Sequence, residues 1–217
     1  MDNVKEMRRG FKALYGSGII SDNGTVEMIG VSFIADEPSI FGEVNRDYVK
    51  REIAWYESQS LNVNDIEPPI PAIWKAVSDS NGYINSNYGW CIFSEENHNQ
   101  YRNVLDTLKH DKYSRQANMI YTRPTMHIDA TVDGRKDFMC TNNVQALIRN
   151  DELHLVVNMR SNDVVYGYKN DYAWQKYVQT KLVNDLRVFY PELTLGDIHW
   201  QVGSLHVYPQ HFHLIGE

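Results

Sequence analysis

The strongest constraint on this chain is the run Met159–Trp174, MRSNDVVYGYKNDYAW. It joins a β-branched, apolar segment, Leu153–Met159 (LHLVVNM), to one whose apolar residues recur at roughly every fourth position: Trp174, Val178, Leu182, Leu186 and Tyr190. The first pattern predicts a strand and the second a helix from Tyr172 onward, with Gly167 and Lys169–Asn170 marking the turn between them. An arginine, a serine and two aspartates therefore sit where strand passes to helix, a place where rigid supports build polar pockets. The run predicts a site for something small and charged.

The rest of the chain supplies supports for that site. Helices are predicted over Val4–Tyr15, over Asn45–Ser60 with Asn45 as cap, and over Asn97–His110. Strands are predicted over Thr25–Phe33, Asn118–Tyr121, Asn143–Ile148 and Ile198–Tyr208, with a turn at Ser21–Gly24, a break at Glu67–Pro71 and a loop at Ile84–Gly89. Strands and helices mix without a βαβ cadence, which predicts the α+β class. No repeat or long linker divides the chain, so residues 1–217 are expected to form a single domain.

Composition narrows the setting. A net charge of -7 excludes broad nucleic-acid coating, which needs basic stripes, so an anion must be held by a few local arginines. Two cysteines, Cys91 and Cys140, make no disulfide framework and predict a reducing cytoplasm. No apolar run reaches the ~18 residues that span a membrane.

Each candidate residue has a plain competitor. Cys140, in DFMCTNN, is a nucleophile only if cationic groups lower its pKa, and Arg160 can do that only if the fold brings it back; a lone cysteine is otherwise a small buried hydrophobe. Cys91, between Trp90 and Ile92, reads as a core cysteine. Arg160 and Ser161 suit a phosphate, or an ion pair at a strand end. Asp163 and Asp171 suit a ligand, or a helix start. Glu52 lies inside a predicted helix, where a solvated surface carboxylate is the ordinary case. His206, His211 and His213 lack an acidic or cysteine partner at a zinc spacing, and no glycine motif for nucleotide phosphates occurs, so no metal is expected.

Taken together, GVSFIADEPSIFG, INSNYGW, DFMCTNN, NMRSNDVVYGYKNDYAWQKYV and VGSLHVY resemble the thymidylate synthase family, from about Val26 to His213. The likeness is greatest to its bacteriophage branch that hydroxymethylates deoxycytidylate. The resemblance implies an α+β fold on a bent sheet, paired sheet to sheet in a homodimer, with a nucleotide and 5,10-methylenetetrahydrofolate as substrates. A place in a larger nucleotide-synthesis complex, in the cytoplasm of a phage host, is compatible with it. By the same resemblance Cys140 is the nucleophile and Glu52, in REIAW, the carboxylate near the transferred carbon. Arg160 and Ser161 hold the phosphate, and Arg115, in YSRQ, reaches across the dimer. Tyr88 lies by the reacting base, Asp163 contacts the folate, and His206 and Tyr208 bind the sugar hydroxyl.

Asp171 carries the choice of base. Family members acting on deoxyuridylate have asparagine there, whereas this chain reads KNDYAW. A carboxyl group that shares a proton with the ring nitrogen of cytosine pairs with that nitrogen and the amino group, and draws electrons from carbon 6. The resemblance then implies covalent catalysis by Cys140, followed by capture of water with help from Glu52. Three features depart from the family pattern. Gln116 follows Arg115, the SDNG turn offers no basic residue for the phosphate, with Arg9 and Lys12 the bases nearest in sequence, and the chain ends at Glu217 soon after LHVY.

Overall fold

The computed structural model describes residues 1–216; Glu217, the last residue of the expected single domain, lies outside them. In chain order the elements are β1 (Asp2–Asn3), α1 (Val4–Gly16), β2 (Val26–Ile34), α2 (Arg46–Ser58), α3 (Ala72–Val77), α4 (Tyr88–Phe93), α5 (Gln100–His110), β3 (Asn118–Ile120), α6 (Met126–Asp129), β4 (Thr141–Arg149), β5 (Glu152–Asp163), α7 (Gly167–Leu186) and β6 (Thr194–Val207). The strands form one mixed sheet in the order β1-β2-β6-β5-β4-β3. Its centre is the parallel pair β5–β6, with antiparallel neighbours on both sides.

Alternation explains the sheet. Leu153, Leu155, Val157 and Met159 of β5 and Val144, Ala146 and Ile148 of β4 are all buried on one face. On β6 the alternation holds at Ile198, Trp200 and Val202, then slips by one to Leu205 and Val207. The slip falls at Gly203, where a Cβ would stand 2.8 Å from the Arg160 carbonyl oxygen. The neighbouring strand has Gly30 at the same level with φ +67°, between the pairs Ile29–Ser204 and Val31–Val202. Two side-chain-free positions side by side thus let the sheet bend.

Helix α7 lies on the buried face through Trp174, Val178, Leu182 and Leu186, each worth roughly 1.5–3 kcal/mol of apolar burial. It starts at Gly167, five residues before the predicted Tyr172, so Gly167, Lys169 and Asn170 are helical rather than a turn, and Tyr190 lies beyond its end. The cause is Asp163, whose carboxylate accepts from the backbone N–H groups of Val165 (3.1 Å), Tyr166 (2.8 Å) and Gly167 (3.3 Å). Asp171 is therefore inside the helix rather than at its start. Tyr88 opens the short α4 instead of lying in a loop, and His211 and His213 lie in a 3-10 turn, Pro209–Leu214.

Candidate active site

The β5–β6 register sets Ser161 beside Ser204 and Asp163 beside His206, while the β4–β5 register sets Thr141 opposite Met159. Cys140 stands just before Thr141, and Arg160 folds back onto it. The Arg160 guanidinium donates to the carbonyls of Phe138 (2.7 Å) and Met139 (2.9 Å), lies 4.8 Å from the Phe138 ring centre and approaches Cys140 Sγ at 3.7 Å. Burial nonetheless pushes the Cys140 thiol up to about 11, the negative charge of Asp171 adds to this, and Arg160 opposes both. The resting sulfur is a thiol.

Asp171 is held by two donors from different elements. Tyr88 Oη donates to Oδ1 at 3.0 Å, and Asn162 Nδ2 to Oδ2 at 2.7 Å. Behind them, Thr141 Oγ1 donates to Tyr88 Oη at 3.0 Å, and the Trp200 indole to Asn162 Oδ1 at 3.2 Å. Burial raises the Asp171 carboxyl to about 7; the hydrogen bonds from Tyr88 and Asn162 hold it down, and the charge of Glu52 pushes it further up.

Glu52 is a buried residue of α2 rather than a solvated one, with 5 % relative exposure. Its Oε1 accepts from Tyr48, one turn earlier on the same helix, and from the Trp74 indole at 3.2 Å. Burial brings this carboxyl also to about 7, against the hydrogen bonds of Tyr48, Trp74 and Tyr56. An aromatic wall joins the two carboxyls. Tyr56 stacks on Tyr88 with ring centres 5.2 Å apart, Trp55 meets Trp74 edge-on at 5.1 Å, and Trp174 closes on Tyr56 at 5.1 Å. Two coupled carboxyls brought to about 7, one of them Asp171 acting on the Cys140 thiol, form a centre suited to proton transfer around a nucleophile.

His206 and Tyr208 lie edge to face with ring centres 4.9 Å apart, and His206 Nδ1 is 3.2 Å from Ser204 Oγ. Burial raises the Tyr208 phenol, and Asp163, Cys140 and Arg160 act on it as well, which puts this pair on the sulfur side of the centre. Arg115 does not join the cluster. It is exposed before β3, where its carbonyl accepts from Gln145 Nε2 at 2.8 Å. Arg9 pairs with Glu6 at 2.9 Å on the exposed side of α1. Cys91 is buried, and burial pushes its thiol up to about 12.

Sequence reasoning missed Tyr48, Tyr56, Trp74, Thr141, Asn162 and Trp200. The i, i+4 spacing of Tyr48, Glu52 and Tyr56 was the one local signal, since it sets all three on one face of α2. It also missed His154, Asp197 and His199, whose potential ligand atoms lie within 4.8 Å of one another. His154 Nδ1 accepts from the Asp197 backbone N–H at 3.0 Å, so the lone pair that a neutral imidazole would give a metal is already engaged. Among the described residues, no helix is long and apolar enough to cross a membrane.

Comparison with known proteins identifies the family. The family model for thymidylate synthase matches residues 42–217. The chain is 56% identical over 193 residues to the deoxycytidylate 5-hydroxymethyltransferase of Enterobacteria phage T6, covering 88% of this chain and 78% of that protein, and 55% identical to the phage T4 protein of the same name. A thymidylate synthase from Bacillus atrophaeus is 26% identical over 168 residues, covering 74% of this chain and 70% of that protein. In fold, the thermostable thymidylate synthase A from Bacillus subtilis matches with a TM-score of 0.69 at 20% identity, covering 95% of this chain and 81% of that one. The chain belongs to the thymidylate synthase family.

Proposed function

We propose that the protein is a deoxycytidylate 5-hydroxymethyltransferase, converting dCMP, 5,10-methylenetetrahydrofolate and water to 5-hydroxymethyl-dCMP and tetrahydrofolate. The observation that carries the reading is the buried Asp171 carboxyl, brought close to neutrality and held between Tyr88 and Asn162. A carboxyl in that state shares a proton with the ring nitrogen of cytosine and accepts from its amino group. The likeness to the phage enzymes supports the same substrate.

The residues divide the work. When Asp171 is neutral, the charge that opposes the Cys140 thiolate is gone, and the nearby Arg160 favours the anion. Cys140 Sγ then bonds to carbon 6, and the π electrons of the 5,6 bond move to carbon 5. The folate, when bound, supplies a one-carbon unit at the oxidation level of formaldehyde. Carbon 5 bonds to that carbon, and loss of the carbon 5 proton, as the carbon–nitrogen bond to the departing tetrahydrofolate breaks, leaves an exocyclic methylene on the ring. Glu52 takes a proton from water as its oxygen bonds to the methylene carbon. The displaced electron pair re-forms the 5,6 double bond and expels Cys140 as thiolate.

Arg160 and Ser161 are assigned to the phosphate, and His206 and Tyr208 to the sugar hydroxyl. The Asp163 carboxylate, although it caps α7, keeps lone pairs for the donor edge of a pterin, and the exposed ring of Tyr166 stands beside it, so these residues fit a folate. Arg115, on the exposed surface near β4, fits a reach into a second copy across a sheet-to-sheet homodimer.

Product mass after incubation with dCMP, CMP or dUMP and methylenetetrahydrofolate tests the reading. A hydroxymethyl gain on dCMP with tetrahydrofolate as co-product is expected. A methyl gain with dihydrofolate would make the protein a synthase, and a gain confined to CMP would move the sugar specificity.

A further inference from the structure

The hydrogen-bond chain at Glu52 has a fixed direction. An indole N–H only donates. The Trp74 indole donates to Tyr48 Oη at 2.9 Å, so the single proton of Tyr48 is turned toward Glu52 Oε1, which also faces the same indole at 3.2 Å. Oε1 is thereby held as an acceptor, and a proton taken up by Glu52 has its place on Oε2. The supports of this chain are themselves tied down. Arg51 lies with its guanidinium 5.7 Å from the Tyr48 ring centre and donates to the carbonyls of Glu67 and Pro69, in the segment leading to α3 and Trp74.

We infer that Tyr48 is a positioning residue that, with Trp74, reserves Oε2 of Glu52 as the oxygen that takes the proton of the attacking water. The inference rests on the proposed hydration step. The titratable groups facing Glu52 are Tyr48 and Tyr56 of α2, both hydrogen-bonded to it, and Asp171 of α7. Among these, Tyr48 is distinguished because Trp74 sets the direction of its hydroxyl. A base must be unprotonated to accept the water proton. Donors to Oε1 favour the carboxylate, so their loss moves the acidic limb of the rate profile to higher pH.

The test is Tyr48→Phe, assayed for 5-hydroxymethyl-dCMP across pH. The expected result is a fall in kcat of about tenfold, KM for dCMP within about twofold of wild type, and an acidic limb moved upward by about one pH unit. An acidic limb unmoved, whether kcat is normal or reduced, overturns the inference, because a merely structural loss lowers the rate without moving the limb. Trp74→Phe frees the Tyr48 hydroxyl to turn and should move the limb in the same direction by less. Should circular dichroism show Tyr48→Phe unfolded, Trp74→Phe decides, and an unmoved limb there is equally fatal. A wild-type protein that makes no hydroxymethyl product overturns the proposed function and this inference together. An active wild type with an unmoved variant overturns the inference alone.

Discussion

The amide of Asn162 and the carboxyl of Asp171 meet at 2.7 Å, and their polarity is set from behind: the Trp200 indole donates to Asn162 Oδ1 at 3.2 Å. Because an indole N–H cannot accept, the amide nitrogen must face Asp171, and Oδ2 is always an acceptor. A proton on Asp171 therefore belongs on Oδ1, beside the adaptable hydroxyl of Tyr88. Glu52 is held in the same way, from an indole through one intermediate side chain.

Asp171→Asn tests the use of that proton. An amide pairs with a pyrimidine edge but cannot share a proton with the ring nitrogen of cytosine, so activation of carbon 6 is lost for dCMP more than for dUMP. The ratio of kcat/KM for dCMP to that for dUMP should fall at least tenfold. Initial rates with each nucleotide measure it, and an unchanged ratio would remove Asp171 from substrate choice.

Much of this fold could be read locally. The periodicities of α1, α2 and α5 and the alternation of β4 are properties of adjacent residues, and those elements lie close to their predicted bounds, whereas β6 starts at Thr194, four residues before the predicted Ile198. The start of α7 could not be read that way, because Gly167, Lys169 and Asn170 carry turn chemistry that a cap four residues before Gly167 overrides. The site divides similarly. Resemblance to a family pointed to Cys140, Glu52, Arg160 and Asp171, and the structure gathers them. The groups that tune the carboxyls come from elsewhere in sequence: Trp200 stands 38 residues from Asn162, and Tyr88 83 residues from Asp171. No spacing rule links such pairs.

The raised carboxyls have a consequence for stability. Glu52 titrates at about 7 in the fold and, like any free carboxyl, near 4 when unfolded. Between those values the native state binds more protons than the unfolded state, so stability falls as pH rises, and the penalty is complete above about 7. Glu52→Gln removes the titration. Thermal melting should show the variant more stable than wild type by roughly 5 °C at pH 8, with the difference shrinking toward pH 5. An equal difference at both pH values would contradict the buried titration.

Gly89 allows α4 to touch α2. A Cβ there would stand 1.7 Å from the carbonyl oxygen of Tyr56 and 2.4 Å from its carbon, both of them backbone atoms that cannot turn aside. Gly89→Ala should cost about 3 kcal/mol or more in denaturant unfolding. Because Tyr88 is the adjoining residue and donates to Asp171, the folded fraction should also lose turnover. Wild-type stability in this variant would mean that the two helices stand further apart.

Cys140→Ser separates chemistry from binding. A serine hydroxyl ionises far less readily than a thiol, and nothing in the site acts as a dedicated base for it, since Asp171 must hold its proton for cytosine. Turnover should fall at least 10³-fold, to the limit of detection. Binding of dCMP, measured by equilibrium dialysis, should stay within about threefold of wild type. The reason lies in Arg160, which is anchored on the carbonyls of Phe138 and Met139 and keeps its place whether sulfur or oxygen stands at position 140. Normal turnover in the serine variant would remove the covalent step. Loss of binding along with turnover would instead show that the sulfur, and not the two carbonyls, holds the guanidinium in its phosphate-binding pose.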